Sequence, residues 1–89
     1  MICLGVESTA HTFSCAVLNK NGKRGEILSD VRKIYGPPKG EGIHPREASR
    51  HHVENGSTVL VEALQKAKIS VTDLDIISYA AGPGLGPCL

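Results

Sequence analysis

The sequence predicts a mixed α/β fold: a three-strand antiparallel meander, one helix, and one further strand laid parallel to the first. Three observations point to it. The chain opens with period-2 alternation of apolar residues, it carries one long segment of helical periodicity, and a short apolar run follows that segment.

The first strand covers the alternation of Ile2, Leu4 and Val6 with Cys3, Gly5 and Glu7. Thr12 to Leu18 is rich in strand formers, and the short link Ser8 to His11 makes an antiparallel hairpin with the first strand. Asn19 to Gly22 is a turn signal of polar residues and glycine. A third strand, Glu26 to Ile34, is more polar and reads as an edge. Prolines and glycines between Gly36 and Ile43 exclude regular structure.

Pro45 opens a helix, because its missing N–H costs nothing at the first helical position and Glu47 suits the positive end of the helix dipole. Val53, Gly56, Leu60, Ala63, Leu64 and Ala67 form one apolar stripe over Pro45 to Lys68. Gly56 costs roughly 1 kcal/mol relative to Ala in a helix interior unless something packs closely there. After the polar connection Ser70 to Asp75, the run Ile76 to Ala81 suits a strand buried on both faces. A whole helix separates it from the earlier strands, so it joins the sheet in parallel by a right-handed crossover.

With 89 residues there is room for one core. The formal net charge is +1 and the basic residues are scattered, so no basic stripe marks a nucleic-acid footprint. Cys3, Cys15 and Cys88 are an odd count without CxxC spacing, which reads as reduced thiols in a cytoplasmic protein. Cys3 and Cys15 could face each other across the first hairpin, although simple packing is the favoured account. No stretch approaches the roughly 20 apolar residues that span a bilayer, so no membrane partner is expected.

Three segments carry candidate chemistry. The hairpin tip Glu7-Ser8-Thr9-Ala10-His11 can aim backbone N–H groups and the Ser8 or Thr9 hydroxyls at phosphate or carboxylate oxygens. Its bland alternative is that Ser8 and Thr9 only satisfy turn geometry. The segment Ile43 to His52 holds His44, His51 and His52, but no i, i+4 pair, which argues against a metal site. It reads instead as a positioning element, with Arg46 and Arg50 able to hold anions and one histidine hydrogen-bonded near a cleft; a solvated helix face is the alternative. Ala81-Gly-Pro-Gly-Leu-Gly-Pro-Cys-Leu89 places Gly82, Gly84 and Gly86 at the end of a strand, where a ligand can approach the backbone. It matches neither the dinucleotide nor the P-loop template, and alone such a turn is more often structural. No nucleophile–base arrangement is present, so spacing leaves the chemistry open.

The element order opens a ribonuclease-H-like half domain, in which a helix, a strand and another helix come next. Taken together, the three segments resemble the universal threonylcarbamoyladenosine-forming family: bacterial TsaD and the catalytic subunit of the archaeal and eukaryotic KEOPS complex, formerly described as O-sialoglycoprotein endopeptidase. The resemblance spans the whole chain. Gly5-Val-Glu-Ser-Thr-Ala-His-Thr-Phe13 looks like the archaeal form of the family's phosphate hairpin, because the bacterial form carries an acidic pair where this chain has Ala10-His11.

The resemblance implies an actin/sugar-kinase/Hsp70 lobe, with residues 1–89 as an incomplete N-terminal portion of it. It implies transfer of threonylcarbamoyl from its adenylate to the N6 amine of the adenosine beside the anticodon in tRNAs reading ANN codons. It also implies one iron or zinc ion per intact protein, held by an H-x-x-x-H pair and a late Asp that lie beyond Leu89, so no metal ligand or catalytic residue is carried onto this chain. What carries over is a cleft wall: Glu7, Ser8, Thr9 and His11 of the hairpin, His51 and His52 of the helix, and Gly82, Gly84 and Gly86 of the loop. Implied partners are threonylcarbamoyl-adenylate, tRNA, and the small dimer-forming and kinase-like KEOPS subunits, the former against the Pro45–Lys68 helix.

Two other classes compete with an enzyme that is inactive as this chain alone. One is a binding lobe that docks a partner without catalysis, the last strand otherwise exposing a hydrophobic edge. The other is a sugar kinase or Hsp70-like ATPase, which the absence of an early Asp-x-Gly in the first hairpin disfavours.

Overall fold

The computed structural model describes residues 1–89. Three strands, β1 (Ile2–Glu7), β2 (Thr12–Asn21) and β3 (Arg24–Ile34), are followed by the helix α1 (Pro45–Ala67), a single 3-10 turn at Val71–Asp73, and the strand β4 (Ile76–Tyr79). The sheet order is β3-β2-β1-β4. β1 and β2 are antiparallel with Leu4 opposite Val17, β2 and β3 are antiparallel, and β4 runs parallel to β1 with Leu4 beside Ile77. The meander, the helix and the parallel return are therefore as the sequence predicts.

Period-2 patterning puts Ile2, Leu4 and Val6 of β1 and Phe13, Cys15 and Val17 of β2 on the sheet face that α1 covers. The core is Leu4, Cys15, Val17, Val31, Val59, Ala63 and Leu64, with Ile2, Val6, Phe13 and Leu60 packed around it. α1 lies across β2 and β3. A buried polar contact locks it there: the Ser29 hydroxyl donates to the Ala63 carbonyl at 2.7 Å.

The structure corrects four local expectations. The first turn lies at Gly22–Lys23 rather than Asn19–Gly22, because β2 and β3 keep pairing out to Asn21 and Arg24 and Gly22 supplies the positive φ of 63° that the reversal needs. The strand expected to be buried on both faces is exposed along its whole length: β4 stands at the sheet edge, beyond the reach of α1. The helix stripe is also rotated. Val53 is 81% exposed, and His52 is buried in its place beside Ala48 and Val59. Cys3 and Cys15 do not face each other, since Cys3 pairs with Leu18 and Cys15 with Val6, and all three cysteines are free.

The ends of α1 follow elementary capping. Pro45 occupies the first turn with Glu47, and Lys68 closes the helix in the left-handed region at φ 58°, its N–H reaching the Leu64 and Gln65 carbonyls. Gly56 has its reason as well: the Phe13 ring lies where a side chain would grow, 3.3 Å from the position of a Cβ.

Candidate functional site: an anchored hairpin

The four residues between β1 and β2 are held from three directions. Every carbonyl from Thr9 to His11 is engaged. Thr9 accepts from the Leu85 N–H at 2.7 Å and His11 from the Tyr35 N–H at 2.6 Å. Ala10 accepts from the His52 ring through Nε2 at 2.7 Å. The glycine loop, the end of β3 and α1 thus each hold one carbonyl, and the N–H groups of Ala10 and His11 donate no hydrogen bond. Three tethered carbonyls beside free amides make an arrangement suited to an anion.

The first residues of the link are fixed internally. The Glu7 carboxylate accepts from the Thr9 N–H at 2.7 Å and makes a very short bond to the Thr9 hydroxyl. Partial burial works against ionisation of Glu7, but the two Thr9 bonds, aided by His52 and His11, outweigh it and hold the carboxyl below its usual range. Ser8 donates to the Cys88 carbonyl at 3.3 Å. The Cys88 thiol in turn points at the Pro45 carbonyl, 3.9 Å away, so the last residues of the chain tie the hairpin to the start of α1.

Gly84 is required by contact. A Cβ there would run into the Thr9 carbonyl and, at 2.7 Å, the Thr9 Cβ. Gly82 and Gly86 have open space around them and make no such approach.

The two adjacent histidines act as a pair. The His51 and His52 Nδ1 atoms are 3.1 Å apart, with the rings edge to face at 5.2 Å between centroids. Phe13 packs against His52 and Tyr35 against His51. Desolvation lowers the His51 pKa, with the neighbouring His52 adding to it, Glu54 opposing and Lys33 reinforcing.

Of the residues marked out by sequence, Glu7, Ser8, Thr9, His51, His52 and Gly84 come together at this tip. The His11 ring turns outward to Thr12, 3.0 Å away, and Gly82 and Gly86 stand apart. Arg50 pairs at 3.8 Å with Glu47 on the exposed face rather than with a ligand, and Arg46 shares that solvated segment. Sequence reasoning missed Tyr35, Leu85 and Cys88, which act mostly through the backbone and leave no side-chain signature. No three His, Cys, Asp or Glu side chains converge, so these residues do not supply a metal's donor set and no step is drawn through one. No helix is long and apolar enough to cross a membrane.

Comparison with known proteins places this geometry in context. The family model described as tRNA N6-adenosine threonylcarbamoyltransferase matches residues 26–89. Over all 89 residues the chain is 49% identical to a protein of that name from Pyrobaculum islandicum and covers 26% of it. The corresponding protein of Pyrobaculum aerophilum is 51% identical, with 25% covered. A probable bifunctional tRNA threonylcarbamoyladenosine biosynthesis protein from Thermoplasma volcanium is 45% identical, with 16% covered. The chain spans about a quarter of the length of the first of these relatives.

Among solved structures, YeaZ from Pseudomonas aeruginosa superposes with a TM-score of 0.68 at 16% identity, over 99% of this chain and 34% of that one. An exopolyphosphatase from Cytophaga hutchinsonii reaches 0.55 at 16% identity, over 88% and 24%. At that identity they show a shared fold and nothing of role.

Proposed function

This chain belongs to the tRNA N6-adenosine threonylcarbamoyltransferase family, and from that premise we propose that it forms one wall of the adenylate cleft in a protein transferring threonylcarbamoyl to tRNA. In that reaction the N6 amine of the adenosine beside the anticodon attacks the carbamoyl carbonyl carbon. The bond from that carbon to the phosphate oxygen breaks, AMP leaves and the amine gives up a proton. Residues 1–89 take the role of an incomplete N-terminal lobe, and their part is to bind and orient.

The observation that carries this reading is the hairpin tip, whose three carbonyls are tied back while the Ala10 and His11 amides are free. Such amides hold a phosphate without any reorganisation at the moment of reaction. Glu7 is occupied by Thr9 and is not a free base, which agrees with a binding rather than a proton-transfer role for this wall. Any metal the family's chemistry uses, iron or zinc, would draw its ligands from beyond this chain, in the cytoplasmic whole.

The test is to supply the full-length protein with threonylcarbamoyl-adenylate and tRNA and to follow AMP release together with the modified nucleoside by mass spectrometry. Formation of both in equal amounts is expected. Adenylate hydrolysis without modified tRNA would sink the proposal.

A second observation bears on partners. Val53 and Val61 are 81% and 50% exposed, and with Ser57 between them they lie on one face of α1 at i, i+4 and i+8. We propose this strip as the docking face for a small dimer-forming subunit of a KEOPS-type assembly, alongside its kinase-like component. Val53→Glu with Val61→Glu is expected to weaken that association at least tenfold by titration calorimetry while leaving the unfolding midpoint in place. Unchanged affinity would exclude this face.

A further inference from the structure

Of the three groups that anchor the hairpin, two are backbone amides and one is a side chain, the His52 ring. We propose that His52 is a positioning residue for the anion-binding hairpin, and that His51 sets the ring form in which it works. The inference rests on the hairpin holding the substrate phosphate, as proposed above.

The Ala10 carbonyl fixes the hydrogen-bond roles of a neutral His52 ring. A carbonyl only accepts, so His52 carries its proton on Nε2 to reach Ala10. In the neutral ring this leaves a lone pair on Nδ1, and that lone pair faces His51 Nδ1 at 3.1 Å. His51 therefore donates from Nδ1, which holds His52 in the one tautomer that grips the hairpin. A hydrogen-bond partner on one ring nitrogen fixing which form the other nitrogen presents is the usual way a working histidine is held.

The surroundings are built for this one geometry. His52 is only 6% exposed, it is packed by Phe13 at 5.8 Å between ring centroids, and Tyr35 stacks on the His51 ring at 5.9 Å. Phe13 in turn fills the notch at Gly56 one helical turn further along α1. His52 also occupies a core position that the helix would otherwise give to an apolar side chain. A buried polar ring there is costly unless bonded, and it is bonded to the hairpin. Its role reaches the substrate through the Ala10 and His11 amides, since its own ring touches only the protein.

The experiment uses the full-length protein and the variants His52→Leu, which keeps the bulk and removes the donor, and His52→Gln, whose amide nitrogen overlays Nε2. For His52→Leu the expected result is an approximately tenfold higher KM for threonylcarbamoyl-adenylate with kcat changed less than about threefold, as for loss of one hydrogen bond used in binding. Amide exchange at Tyr35 and Leu85, whose N–H groups bond the His11 and Thr9 carbonyls of the same hairpin, is expected to quicken by a similar factor, and His52→Gln to recover most of both. An unaltered KM and exchange in His52→Leu, or a His52→Gln as impaired as His52→Leu, would overturn the proposal.

Should His52→Leu not fold, long-range nitrogen–proton NMR of the wild-type rings decides. A proton on His52 Nε2 and on His51 Nδ1 supports the assignment, and a His52 proton on Nδ1 overturns it. If the wild-type protein neither binds AMP nor transfers threonylcarbamoyl, the functional reading fails by itself; the exchange and NMR measurements still judge the anchor.

Discussion

At the scale of single residues, the site depends on contacts too close for any substitute. Gly84→Ala puts a methyl group into the Thr9 backbone, which cannot yield as a side chain would, so the loop must shift and the Leu85–Thr9 bond with it. A loss of about 1–3 kcal/mol in denaturant unfolding is expected. An undiminished stability would show that the loop does not rest on the hairpin. Titration also belongs to this scale. Burial raises the Cys15 and Cys88 thiols above their usual 9.0, so the folded state binds protons that the unfolded state releases. Stability is therefore expected to decline as pH rises past about 9. Glu7 and His51 are both lowered, so their contribution is full above the unfolded values of 4.5 and 6.5 and lost as pH falls below each. A melting-temperature profile from acid to alkaline pH reads both limbs, and a flat response across either window would contradict that sign.

At the scale of elements, α1 shows most plainly how far a sequence pattern reaches. The start at Pro45 and the end near Ala67 are legible in proline, glutamate and the loss of periodicity. Its rotation is not. Periodicity counts Val53 as apolar and His52 as polar, yet His52 turns inward because the Ala10 carbonyl satisfies it, and this moves Val53 into solvent. Two predictions belong here. Lys68→Gly removes a Cβ from the left-handed conformation at φ 58° and is expected to stabilise the protein by about 0.5–1 kcal/mol in urea unfolding. A destabilised variant would mean that the Lys68 side chain has a role the cap geometry does not reveal. Ser29→Ala removes the one side-chain hydrogen bond between β3 and α1 and is expected to cost about 1 kcal/mol. No change in unfolding free energy would show that water replaces the bond without loss.

At the scale of the whole molecule, the sheet is covered on one face only. The chain measures 46 × 24 × 20 Å with a radius of gyration of 14.2 Å, against about 12 Å for a compact domain of this length. Its accessible surface is 6028 Å², where roughly 5000 Å² is typical of a folded monomer of this mass. The excess lies partly in β4, where Ile76, Ile77 and Tyr79 are 42%, 64% and 75% exposed beside an unpaired strand edge. An exposed, apolar, unpaired strand is a template for association. The 89-residue polypeptide by itself is therefore expected to self-associate at high concentration in light scattering, and Ile77→Lys to lower that tendency. A monomer at every concentration would show that the edge is protected in some other way.

What the sequence by itself determined was the order and kind of the elements, the hairpin at Ser8 to His11, and the resemblance that the matched relatives place in one family. These follow from local periods, turn chemistry and motif order, each written within a few residues of where it acts. The tertiary structure alone decided which face of α1 turns inward, that β4 is exposed rather than buried, and how the hairpin is held. The Ala10 carbonyl lies 42 residues from His52, and the Thr9 carbonyl meets the amide of Leu85 near the far end of the chain. Backbone bonds between distant segments leave no mark on side-chain pattern, so they exist only once the chain has folded.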